Sequence, residues 1–409
     1  MKKYLIIALA AIATMACSKV DTQVSTPDTP IRFAVVNRLQ QQTKASTTGL
    51  EYPTSSTFGT FAWWTAGNWT GVAADQDYVF MDNVEIGYRI VDNVYSWAPS
   101  ATYYWTKTGK ITFASYSPFV DNDTKASKGF SVIPSYDVAK GFLFNNYTIV
   151  SGTNVDLMYA NLAKDCTNNT NEDGKLVYDG TTGDNGTDHG YKGVPTIFNH
   201  ALCRLGFEFR ALGNLNPNVD KVKIELTAVN IYNIDKTGSF TQTPTPATTP
   251  RWATTHTTTA VESYDFSPSA TITMEVKPDN AENRANVAYT HTNVIRILLP
   301  QSLNDDDDPT DPTVDPISTT LDQKLVITYN ILSHYKNTAD DVWATESNVK
   351  STVRLYKGNI TEWKDNQNIT YRITINPYSG DAITFDPAVV DWTNVNSNDI
   401  VVSPDAPTE

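Results

Sequence analysis

The residues best suited to chemistry are few and poorly spaced for it. The five histidines (His189, His200, His256, His291 and His334) are scattered, with no pair at zinc-ligand spacing and no H-E-x-x-H. No G-x-S-x-G elbow, phosphate loop or G-x-G-x-x-G occurs. Carboxylates are plentiful, but nothing in their spacing marks out a glycosidase pair, and solvated surface acids are the plainer reading. Asn169-Thr170-Asn171-Glu172-Asp173-Gly174 opens like a calcium loop, yet Gly180 stands where the bidentate glutamate belongs. Asp305 to Asp308 are consecutive carboxylates that repel one another and cannot all face one ion. The 9 Trp and 21 Tyr offer sugar-stacking platforms, densest at Trp63, Trp64 and Trp69. Aromatic side chains more often fill β-sandwich cores, and Trp97 and Trp105 around Tyr103-Tyr104 read as strand residues of that kind. The pattern points away from an enzyme, and neither a cofactor nor a metal is expected.

One cysteine does carry a chemical signature. The chain opens MKKYLIIALAAIATMAC: Lys2 and Lys3 precede a mostly apolar stretch from Tyr4 to Met15, too short to span a bilayer as a stable helix. Ala16-Cys17 follows where a peptidase cuts, which marks a lipoprotein signal with Cys17 as the acylated new N-terminus, although Thr14 stands where leucine is usual. Acylation contributes about 0.8 kcal/mol per buried methylene, so several chains anchor the protein without a transmembrane helix. An ordinary secretory signal is the alternative. Of the other cysteines, Cys166 lies in a polar loop and Cys203 in a strand-like run, which makes Cys203 a core thiol and leaves their pairing open. The net charge of -14 argues against nucleic acid and anionic membrane surfaces as partners.

The elements that would position any site are strands. Leu205, Phe207 and Phe209 alternate with polar residues, as do Val222, Ile224 and Leu226, and Tyr371, Ile373 and Ile375. Asn/Asp/Gly/Pro/Thr clusters separate such runs, so many short strands in sandwiches are expected rather than a parallel α/β sheet. Residues 1–16 read as signal peptide, 17–30 as a polar tether, 31–193 as an N-terminal β-sandwich domain and 194–409 as a C-terminal one.

In their order and spacing, several segments resemble the fimbrillin-like lipoproteins that build type V pili of anaerobic gut and oral bacteria. They are Tyr103-Tyr104-Trp105 through Lys110 to ITFASYSP (111–118), Asp156 to Ala160, Phe198 to Leu205, Lys221 to Asn230, and Trp363 with ITYRITI (369–375). Ile383 and Asp391-Trp392 close the order. The resemblance implies an all-β fold of two tandem transthyretin-like antiparallel β-sandwich domains. It also implies a structural subunit of a fimbria, exported to the outer membrane surface as a lipoprotein and assembled by donor-strand exchange with other subunits. A processing protease then cuts after an arginine or lysine and removes the lipid together with the first strand.

On these residues the first strand is Ile31 to Val36, with Ile31, Phe33 and Val35 on one face, and Arg38 is the candidate cleavage site. Its loss strips an apolar groove and leaves backbone groups unpaired, which another subunit's extended segment can fill. Candidate donor segments are Ile383 with Phe385, Val389 with Val390, and Ile400-Val401-Val402. The competing reading is a surface glycan-binding lipoprotein of a polysaccharide uptake system, which stays lipidated and needs no processing arginine. In either case a host or bacterial surface ligand is a further partner.

Overall fold

The computed structural model describes residues 29–37, 52–150, 155–168, 193–257, 259–303, 323–336, 339, 342–356, 360–377 and 383–391. In chain order the first strands are β1 (Phe33–Asn37), β2 (Thr57–Thr65), β3 (Val79–Val91), β4 (Val94–Pro99), β5 (Lys110–Ser117), β6 (Ser135–Asp137), β7 (Gly141–Thr148), β8 (Met158–Ala160), β9 (Ala163–Cys166) and β10 (Val194–His200). Then follow β11 (Cys203–Ala211), β12 (Val219–Asp235), β13 (Thr237–Thr241), β14 (Trp252–Thr254), β15 (Val261–Asp265), β16 (Ile272–Glu275), β17 (Thr290–Leu298), β18 (Gln301–Ser302), β19 (Lys324–Tyr335), β20 (Ala344–Arg354), β21 (Glu362–Trp363), β22 (Gln367–Ile375) and β23 (Ile383–Asp391). The fold is all-β, as the alternation predicts; the one α-helix among the described residues is Ala281–Asn286, capped by the Asn280 side chain.

The first sheet closes on itself. Its order is β2-β3-β4-β1-β10-β8-β5-β9, and β5 also pairs with β2, which completes a ring from β2 round to β5. Ile31, Phe33, Phe58, Met81, Ile86, Ile111, Phe113 and Phe198 belong to one buried cluster with the ring's strands. The two strands that meet, β2 and β5, are buried on both faces, which explains their unbroken runs FGTFAWW and ITFASY. Phe58 and Phe113 belong to the ring's cluster, whereas Phe61 and Tyr116 pack outward against Phe142 of β7. The β3–β4 hairpin turns on Asp92 and Asn93, both at positive φ (51° and 62°), as a two-residue turn matched to strand twist requires.

The later strands build a sandwich. One sheet has the order β17-β11-β22-β23 and the other β15-β12-β19-β20, with β16 also on β12. Leu205, Phe207, Phe209, Val222, Ile224, Leu226, Tyr371, Ile373 and Ile375 are all buried, as their alternation predicts. Phe207 stacks on Tyr371 at 5.6 Å and meets Phe266 edge-on at 4.8 Å. Among the described residues two strand pairings are parallel, β1 with β10 and β11 with β22, which alternation cannot foretell. Pairing also crosses residue 193: β10 joins the first ring, and β13 and β14 extend β7 and β6 into a four-stranded sheet. Cys166 is not in a polar loop; it ends β9, and both it and Cys203 are buried free thiols.

Candidate functional site

The site is the seat of β1. Alternation in Ile31-Arg32-Phe33-Ala34-Val35 buries Ile31 and Phe33 (1% and 3% exposed) and leaves Arg32 and Ala34 half-buried. Val35, expected on the buried face, is only half-buried. Phe33 sits edge-to-face between Phe58 (5.7 Å) and Phe113 (5.6 Å). Beyond them Tyr52 stacks on Phe198 at 5.2 Å and shares a 2.7 Å hydrogen bond with Ser117, and burial pushes its phenol pKa up.

The backbone is held unequally on its two sides. Toward β10 the register runs in parallel from Phe33↔Val194 to Asn37↔Phe198, and Val194 N–H donates to Arg32 O at 2.8 Å. Toward β4 the pairing is a single antiparallel pair, Phe33↔Trp97. Upstream, Ile31 N–H donates to Tyr103 O (2.8 Å) and Trp105 N–H to Thr29 O (3.0 Å). Gly193 has φ +154°, and a Cβ there would stand 2.8 Å from Arg32 O, so only glycine lets β10 start this close to β1. Outside, Arg32 Nη2 donates to Val91 O (3.2 Å) and to Asp92 Oδ2 (3.1 Å), an exposed pair of small value.

This geometry makes β1 one stave of a ring. Taking it out leaves β4 and β10 as edges about 9.5 Å apart, two strand spacings, which is room for one strand and no more. It also uncovers Phe58 and Phe113 to water.

At the other end of the chain, β23 pairs with β22 from Gln367↔Asp391 to Ile375↔Ile383 and forms an edge of its sheet. Ile383, Phe385 and Val389 stand opposite Ile375, Ile373 and Ile369, all fully buried, and Val390 stands opposite Asn368. Cys17, Arg38, Ile400, Val401 and Val402 lie outside the described residues, as do the 169–174 and 305–308 loops. Of the tryptophans weighed as sugar platforms, Trp63 and Trp69 are core residues, and the Trp64 indole donates to Thr108 O at 2.8 Å. Sequence reasoning missed the walls of the seat. Gly193, Trp97 and the β10 edge carry no local mark of a partner more than sixty residues away.

The chain was compared with known proteins. The family model described as fimbrillin-like matches residues 43–392. A search of the curated proteins gave no match. Among solved structures, the chain is similar to a fimbrial protein from Bacteroides vulgatus ATCC 8482, at 17% identity and TM-score 0.51, covering 89% of this chain and 99% of that one. It is also similar to the tip fimbrial protein Mfa3 from Porphyromonas gingivalis with C-terminal truncation, at 9% identity and TM-score 0.34, covering 82% and 94%.

Proposed function

The chain belongs to the fimbrillin-like family, and from that premise we propose that it is a fimbrial subunit delivered as a lipoprotein and assembled by strand exchange. In this reading Cys17 carries the lipid that holds the precursor on the outer membrane. Cleavage after Arg38 by an arginine-specific protease frees the mature body from lipid and β1 together. The vacated slot between β4 and β10 then accepts an extended segment of another subunit. Its donor comes from the C-terminal region, either β23 (Ile383, Phe385, Val389, Val390) or Ile400-Val401-Val402. The chain passes from an N-terminal body (31–193) to a C-terminal one (194–409), with β10, β13 and β14 reaching back into the sheets of the first. The role is structural rather than enzymatic.

The observation that carries this reading is the seat of β1: the first strand among the described residues, with Phe33 in it and Ile31 just before it as buried anchors, closes a ring that is otherwise continuous. Two such anchors contribute about 3–6 kcal/mol before backbone pairing. That is enough to keep the precursor closed and to drive a replacement strand into the same slot. The test is size-exclusion of three forms side by side: intact chain, chain cut after Arg38, and cut chain lacking its C-terminal segment. The expected result is a monomer, a polymer and a monomer. A cut chain that loses β1 and stays monomeric under every condition refutes the assembly step and leaves a lipid-anchored surface protein.

A further inference from the structure

A second site lies away from the seat of β1. Where β14, β18 and β21 meet, a cleft of about 610 Å³ opens, a size within the range of small-molecule pockets. Trp252 and Trp363 lie beneath it, 6% and 1% exposed, with their indole N–H groups spent inside the protein, on Ala201 O and on the Tyr371 hydroxyl. The base therefore makes no polar demand on a ligand and shows it only a little carbon, from the edge of Trp252. The walls are different in kind. Arg251 Nη1 meets Asp365 Oδ2 at 2.7 Å, Lys364 Nζ meets Glu362 Oε1 at 2.8 Å, and the His256 ring contacts the Asp235 carboxylate at 2.6 Å. Arg251 is held further by the Tyr159 hydroxyl at 2.6 Å, and Asp235, 3% exposed at its side chain, is locked by packing.

Each charged side chain in the wall already has a partner, Arg251 with Asp365, Lys364 with Glu362 and Asp235 with the His256 ring. An ionic ligand would have to displace one of these pairs and leave its partner desolvated and unmatched. An apolar ligand would bury the same polar groups with no hydrogen bonds in return. A hydroxyl group suits them, because it donates to a carboxylate oxygen and accepts from a guanidinium or ammonium at once. Among the described residues, Arg251 and Asp365 each use a single atom, Nη1 and Oδ2, in their hydrogen bonds, which leaves the rest of both forks for such contacts. We propose that this cleft binds a neutral, hydroxyl-rich ligand of mono- or disaccharide size, with Arg251 and Asp365 as the polar anchors. No stretch of sequence points to it, because its walls come from separate segments, with Arg251 and Asp365 more than a hundred residues apart.

The test uses the intact chain, with β1 in place, so that its failure says nothing about assembly. Saturation-transfer NMR and calorimetry are run with glucose, galactose, mannose, N-acetylglucosamine and lactose, and with glucuronate and glucosamine as charged counterparts. At least one neutral sugar is expected to bind. Asp365→Asn should weaken it by about tenfold or more, the loss of one hydrogen bond to a charged group. Thr249→Trp, at an exposed position of the rim, should abolish binding by filling the cleft while the melting curve stays unchanged. Binding by none of the neutral sugars overturns the proposal. So does binding that survives both substitutions, or a charged sugar that binds more tightly than its neutral counterpart.

Discussion

Phe33→Ala is the sharpest probe of the β1 seat. Phe33 is 3% exposed and held edge-on by Phe58 and Phe113, so truncation removes a fully buried ring and leaves a cavity between two others. Such substitutions cost about 3–5 kcal/mol. If β1 is a separable stave, that cost falls on its retention. Once the chain is cut after Arg38, the peptide from Cys17 to Arg38 should leave between about a hundredfold and three thousandfold faster than from the parent. Because Cys166 and Cys203 are buried, a maleimide fluorophore on a non-acylated Cys17 labels the peptide selectively, and loss of anisotropy after cutting reports its release. Arg32→Ala is the control: it removes the ion pair to Asp92 and the hydrogen bond to Val91 O, together worth about 1–2 kcal/mol, and should speed release by no more than about thirtyfold. Release unchanged by Phe33→Ala, with the melting temperature of the whole protein lowered instead, refutes the idea that β1 leaves as a unit.

Four other predictions stand beside it. Cys17→Ala should abolish acylation and surface delivery; fatty-acid labelling equal to that of the parent refutes the lipid anchor. Deleting the chain from Ile400 onward should reduce polymerisation of the cut protein if the donor is the extreme C-terminus. Because β23 completes its own sheet along β22, deleting Ile383 to Val390 should also lower the melting temperature, so both readouts are needed to assign the donor. Both thiols should resist alkylation until denaturant is added, since burial raises both pKa values, and reductant should leave the melting curve unmoved. His334 faces acceptors with both ring nitrogens, Asp220 Oδ1 at 2.6 Å and Ala339 O at 3.0 Å, so the doubly protonated ring fits best. The hydrogen bond with Asp220 holds the His334 pKa up and that of Asp220 down. The stability from the raised histidine is complete below about pH 6.5 and lost as pH rises through its folded value. That from Asp220 is present above about pH 3.9 and lost as pH falls through its own. In His334→Gln the decline of melting temperature across the neutral range should flatten.

Much of the fold is legible in the sequence because its period is local. Leu205-Phe207-Phe209 and Val222-Ile224-Leu226 alternate, and alternation alone says strand, says which face is buried, and says all-β. The run Ile31-Arg32-Phe33 likewise announces a strand with a buried face.

What alternation cannot say is which strand lies alongside which, since a period of two assigns faces and leaves partners and direction open. That β1 runs parallel to β10 and touches β4 through one pair only was decided by tertiary packing. So were the return of β13 and β14 to β7 and the burial of Cys166 at the end of a strand. The histidines make the same point. Each of His200, His256, His291 and His334 looks isolated in sequence, yet each sits within 3.2 Å of a carboxylate from a distant segment. The buried imidazoles of His200 and His334 need hydrogen-bonding partners, and the chain supplies them across the sheet rather than along the strand, where neighbouring side chains point to opposite faces.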